Sequence, residues 1–132
     1  MKNPLILIVD DEETALEIRR MLLENAGYSV LATSHWSAAV QAVQSKRVDL
    51  VISDHLLIGF TGAQLARKVK EINSQIPVIL LSGVNEIPED AEDADLFISK
   101  LEGPVVLLEK VAAVLAATRV SEASRKGHSA AK

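Results

Sequence analysis

Leu5-Ile6-Leu7-Ile8-Val9-Asp10-Asp11-Glu12-Glu13, LILIVDDEE, runs five aliphatic residues straight into four consecutive acids. Apolar residues on consecutive positions are what a parallel strand covered on both faces requires. The acids mark where that strand meets water or a ligand. Two carboxylates about 4 Å apart at an effective dielectric near 20 repel by about 4 kcal/mol, so a site that gathers them needs a proton or a cation.

Outward from this stretch, short aliphatic runs recur at Tyr28–Ala32, Leu50–Ser53, Val78–Leu81 and Leu96–Ile98. They read as further strands. Between them lie helical stripes: Ala15, Ile18, Leu22 and Ala26, with acids in front, Arg19 and Arg20 further along and Gly27 as a stop. Trp36, Ala39, Val40 and Val43 make a second stripe, and Leu65, Val69 and Ile72 a third. Gly103-Pro104 opens a last helix whose buried face is Leu107, Val111, Val114 and Leu115. Strand and helix alternate throughout, which predicts an α/β, three-layer, doubly wound, five-stranded parallel sheet with its ligands at the carboxyl ends of the strands.

At 132 residues and 48% hydrophobic content the chain suits one domain, placed at 1–118. The stretch 119–132 is small and polar without apolar period and is expected to be frayed or disordered. Cysteine is absent, which excludes disulfides and thiolate metal sites and fits a reducing compartment. No apolar run approaches a membrane span and no signal-peptide pattern opens the chain, so a cytoplasmic protein without membrane insertion is expected. The net charge of −4 gives no general reason to bind nucleic acid. Six of the ten residues of Glu86–Asp95 are acidic, and without them the rest carries two more bases than acids. That patch reads first as a solvated face and second as a surface for a partner.

The strand ends carry the chemistry. Asp10 and Asp11 follow the first strand, Asp54 the third, Ser82-Gly83 the fourth and Lys100 the fifth. Hard oxygen ligands of this kind suit Mg²⁺, with Mn²⁺ as a substitute. An aspartate can attack phosphorus, and cations around the equatorial oxygens stabilise phosphoryl transfer. Asp54 would attack, Mg²⁺ and Lys100 would neutralise the oxygens, and Ser82 would donate a hydrogen bond. Taken singly, Asp54 or Asp10-Asp11 could be a helix cap, Ser82 a turn residue and Lys100 a surface lysine. His55 and Trp36 read as structural.

IVDDE, VISDHLLIGFTG, LLSG and FISK, in this order, resemble the four signature segments of the receiver domain of two-component response regulators, from about Lys2 to Ala117. A single-domain receiver like the chemotaxis regulator is the nearest pattern. The resemblance implies a flavodoxin-like fold with strand order 2-1-3-4-5, dependence on Mg²⁺, and phosphorylation by a histidine kinase or a histidine phosphotransfer protein. It assigns Asp54 as phosphoacceptor, Asp11 as direct metal ligand, Asp10 as the acid acting through metal-bound water, and the Leu56 backbone carbonyl as a further ligand. Ser82 becomes the switch hydroxyl, Phe97 the switch aromatic and Lys100 the phosphoryl-binding lysine. Leu56, Gly83 and Val84 would flank the phosphoryl group. Gly62 stands where the family places a glycine, eight residues after its acceptor.

The pattern is departed from in three places. Leu57-Ile58 replaces the usual Met-Pro, so a less constrained loop is expected. Leu101 replaces a proline after Lys100, so a trans peptide is expected there. Only 17 residues separate Ser82 from Lys100, about four fewer than usual, with Pro88 among them. The fourth helix should therefore be short, displaced or missing. Many receivers dimerise through the face of their fourth helix, fifth strand and fifth helix, so this chain is expected to be mainly a monomer that signals to a separate protein effector. It would assist its own phosphorylation and dephosphorylation without being a conventional enzyme. A phosphorylation-independent interaction module is the alternative. A nucleotide- or flavin-binding protein would want a glycine-rich loop where DDEE stands, and a dehalogenase-type phosphatase an Asp-x-Asp pair at Asp54.

Overall fold

The computed structural model describes residues 3–83 and 91–130. Along the chain run β1 (Leu5–Val9), α1 (Glu13–Asn25), β2 (Ser29–Thr33), α2 (Trp36–Ser45), β3 (Leu50–Asp54), α3 (Gly62–Ile72), β4 (Val78–Ser82), β5 (Leu96–Ser99) and α4 (Pro104–Ala130). All strand pairs are parallel, in the order β2-β1-β3-β4-β5. This is the doubly wound, flavodoxin-like sheet expected.

Side chains alternate across the sheet and feed two cores. Leu7, Val9, Val51 and Leu80 face α2 and α3, meeting Ala39, Val43, Leu65 and Val69. Ile6, Ile8, Ile52 and Ile79 face α1 and α4, meeting Leu23, Leu107, Val111 and Leu115. Both faces are covered, which is why β1, β3 and β4 are apolar on consecutive positions. The chain winds one way from β1 to β2 and the other way from β3 onward. The crevice at the ends of β1 and β3 is therefore a topological switch point.

Two sequence expectations shift in phase. Tyr28 closes the cap after α1 rather than opening β2, because its N–H donates to Leu23 O at 3.1 Å while the Gly27 N–H donates to Glu24 O at 3.0 Å. Gly27 adopts φ +101°, completing a Schellman stop. On α1 the inward stripe is Leu16, Leu22 and Leu23, whereas Ile18 is 60% exposed and Ala26 is exposed. Arg19 lies on that inward stripe, three residues after Leu16 and four before Leu23.

Among the described residues no helix stands between β4 and β5; after Ala91, buried in the core, the chain makes a turn and enters β5. The segment 84–90, where Val84 and the expected short helix after Pro88 fall, lies outside the described residues. Helix α4 runs on to Ala130, through the stretch expected to be frayed or disordered. The alanines, arginine, lysine and glutamate of that stretch are helix formers that prolong a helix without an apolar stripe.

Candidate functional site

Asp10 directly follows β1, with only 3% of its surface exposed. Its Oδ1 accepts the Glu12 N–H at 3.0 Å, and its Oδ2 is paired with the guanidinium of Arg19. Asp11 turns its Oδ2 toward the N–H of Ile58 across the crevice. Asp54, buried at the end of β3, holds Lys100 Nζ at 2.8 Å from its Oδ2. That lysine is aimed by backbone: the Lys100 N–H donates to Ser82 O at 2.8 Å, and the Leu101 N–H donates to Ser99 Oγ at 3.1 Å. The Lys100–Leu101 peptide is trans, as expected.

Ser82 is buried at the end of β4, in register with Ser99, while Asp54 pairs with Leu81. Phe97 is half-buried against the core on the α2–α3 side of the sheet. Gly83 is exposed. Sequence reading thus brings Asp10, Asp11, Asp54, Ser82 and Lys100 to one edge, and the fold puts them there.

The loop from β3 to α3 is not loose. Leu56 and Thr61 form an antiparallel bridge, the Leu57 N–H donates to Phe60 O at 3.2 Å, and Gly59 turns the chain at φ +88°. Thr61 caps α3 in a capping box with Gln64: the Gln64 N–H donates to Thr61 Oγ1 at 3.1 Å and the Thr61 N–H to Gln64 Oε1 at 2.9 Å. A hairpin, a cap and the Asp11 carboxylate supply the constraint that the missing proline would have given. The Trp36 and Phe60 rings meet edge to face at 5.1 Å and pin the outside of this loop. Leu56 and Ile58 project from it, 72% and 84% exposed.

The three carboxylates do not converge. Among the described residues no three metal-ligating side chains stand close enough to hold an ion as they lie. Asp10, Asp11 and Asp54 each have a donor of their own in Arg19, the Ile58 N–H and Lys100. Sequence reading missed Arg19, treating it as a helix-end base. Its place between Leu16 and Leu23 on the inward stripe was the available signal.

Comparison with known proteins gives a consistent result. Residues 6–112 match the family model described as response regulator receiver domain. The phosphate regulon transcriptional regulatory protein PhoB of Pseudomonas aeruginosa is 34% identical over 124 residues, a match covering 89% of this chain and 54% of that protein. The autoinducer 1 sensor kinase/phosphatase LuxN of Vibrio campbellii is 29% identical over 106 residues, covering 80% of this chain and 12% of that protein. The chain thus spans about half the length of the curated regulators it matches, and less of the kinase. Among solved structures, a CheY-like response regulator receiver domain protein from Methanospirillum hungatei superposes with a TM-score of 0.84 at 25% identity, covering 91% of this chain and 99% of that one. The response regulator TrrA of Thermotoga maritima, in complex with Mg(2+)-BeF, superposes with a TM-score of 0.78 at 28% identity, covering 86% and 99%.

Proposed function

This chain belongs to the response regulator receiver domain family of two-component signalling, and from that premise we propose that its Asp54 accepts a phosphoryl group from a histidine kinase or a histidine phosphotransfer protein. The observation that carries the proposal is the buried Asp54 carboxylate with Lys100 Nζ 2.8 Å away, beside Asp10 and Asp11 at the switch point of the sheet. A lone buried carboxylate would be costly; Lys100 offsets its charge.

In the proposed step an Asp54 oxygen forms a bond to phosphorus as the P–N bond of the donor phosphohistidine breaks. The imidazole leaves with the electron pair and takes a proton from solvent, and an acyl phosphate remains on Asp54. Lys100 follows the charge from the carboxylate to the phosphoryl oxygens. The Ser82 hydroxyl, at the end of the adjacent strand, turns to the same oxygens, and Phe97 on the next strand answers the change in packing. Asp10, Asp11, Asp54 and the Leu56 carbonyl are all hard oxygen donors of the kind Mg²⁺ or Mn²⁺ takes, and would close on the ion to hold it. When bound, that ion supplies positive charge to the phosphoryl oxygens.

The chain on this reading is an acceptor that assists its own chemistry, not a conventional enzyme, and it passes the signal to a separate protein in the cytoplasm. Among the described residues no helix is long and apolar enough to cross a membrane. Intact mass after incubation with acetyl phosphate tests the proposal. A gain of one phosphoryl group in the presence of Mg²⁺, lost in Asp54→Asn, is expected. No gain in the native chain under any of these conditions would leave the phosphorylation-independent interaction module as the reading.

A further inference from the structure

We propose that Arg19 is a positioning residue that competes with the divalent cation for Asp10 and thereby sets the metal affinity of the site. The inference rests on the cation reading above. It starts from where the two arginines of α1 go. Arg20 stays on its own helix, with Glu17 and with Glu24 at 2.9 Å, in solvent. Arg19 has no such option: three and four residues away on either side stand Ala15, Leu16, Leu22 and Leu23. The carboxylate it finds is Asp10, nine residues back and on another element.

The pair is desolvated, with Asp10 3% and Arg19 19% exposed at the side chain. Water therefore screens it little. The other Asp10 oxygen is taken by the Glu12 N–H. Asp10 thus has both oxygens engaged before any ion arrives. A cation drawing on Asp10 must displace the guanidinium or share the carboxylate with it. The consequence has two sides: the metal-free site is spared bare repulsion between its acids, and the metal is bound more weakly than the three carboxylates alone would bind it.

Titration calorimetry with MgCl₂ tests this on the full chain, native, Arg19→Met and Arg19→Lys, beside thermal unfolding in EDTA and in saturating Mg²⁺. Methionine keeps an apolar stem on the inward stripe and removes the charge. We expect Arg19→Met to bind Mg²⁺ about tenfold more tightly, the scale set by one nearby charge in a partly desolvated site. It should also unfold at a lower temperature in EDTA, because a buried carboxylate loses its partner, and recover in Mg²⁺. Arg19→Lys, a compact single-point donor, should fall between and carries the comparison should the methionine variant fail to fold without metal. Equal or weaker Mg²⁺ binding in both variants, with the native chain binding normally, overturns the role of Arg19 and leaves the cation reading intact. Absence of Mg²⁺ binding in all three chains overturns both.

Discussion

A methyl group added at Gly62 would stand 2.5 Å from the backbone oxygen of Asp54 and 2.8 Å from Cδ2 of Leu80. Neither neighbour can yield cheaply, since one is the backbone of β3 and the other belongs to a fully buried side chain. The Gly62 N–H also donates to His55 O at 2.7 Å, so the first residue of α3 is seated directly on the end of the strand that carries the acceptor. Gly62→Ala is therefore expected to destabilise the fold by about 1–3 kcal/mol, as overpacking does, and to slow phosphorylation of Asp54 by shifting its backbone. Gly103→Ala is the control, because an added Cβ there meets nothing within 4 Å. Denaturant midpoints and phosphorylation rates for both variants decide it; a Gly62→Ala chain as stable and as quickly modified as the native one would show that the contact relaxes freely. In the sequence this glycine stood out only through resemblance, eight residues after Asp54. Its physical reason is a contact between two elements, which no local pattern carries.

Elements were legible where burial is two-sided or a cap is local. β1 reads directly from its five aliphatic residues, and the Gly27 stop from the need for a left-handed residue there. The phase of α1 did not, because Ile18 and Met21 lie on its exposed face while a charged Arg19 lies on its inner one. Apolar spacing alone chooses the wrong stripe when a helix packs a cation inward. The connection before β5 shows the same limit: its acids read as one solvated patch, yet Asp95 is structural. Its Oδ2 accepts the Val78 N–H and Lys70 Nζ, each at 2.7 Å, and Lys70 also reaches Ile76 O at 2.6 Å. This clamp joins the end of α3 to the starts of β4 and β5. Asp95→Ala should cost about 1–2 kcal/mol, a value reduced from that of a buried charged pair because the carboxylate is partly exposed. Lying at the opposite end of the strands from Asp54, it should leave the phosphorylation rate unchanged; a slower rate at equal folded fraction would show that the two ends are coupled. The pairs of Arg20 lie in solvent instead. Its hydrogen bond and charge hold the Glu17 carboxyl below the usual range, but screening leaves such a pair little weight in the stability of the fold.

At the scale of the molecule, charge and architecture act on the same face. The parallel alternation followed from periodicity, and the order β2-β1-β3-β4-β5 from the resemblance, since spacing alone does not rank strands. The face bounded by β5, α4 and the connection before β5 has, among the described residues, no helix in that connection, and Glu92 stands exposed in its turn. A two-fold axis through this face would bring two copies of the acids Glu92 and Asp93 together in a molecule of net charge −4. Such repulsion acts over about 8–10 Å at ordinary ionic strength and fades as salt rises. A basic partner, by contrast, would be attracted to this face. We therefore expect a monomer in sedimentation velocity at low salt, with and without beryllofluoride and Mg²⁺, and at most weak self-association appearing as salt is raised. A tight dimer insensitive to salt would place apolar contact above charge at this face and assign the shortened connection to assembly.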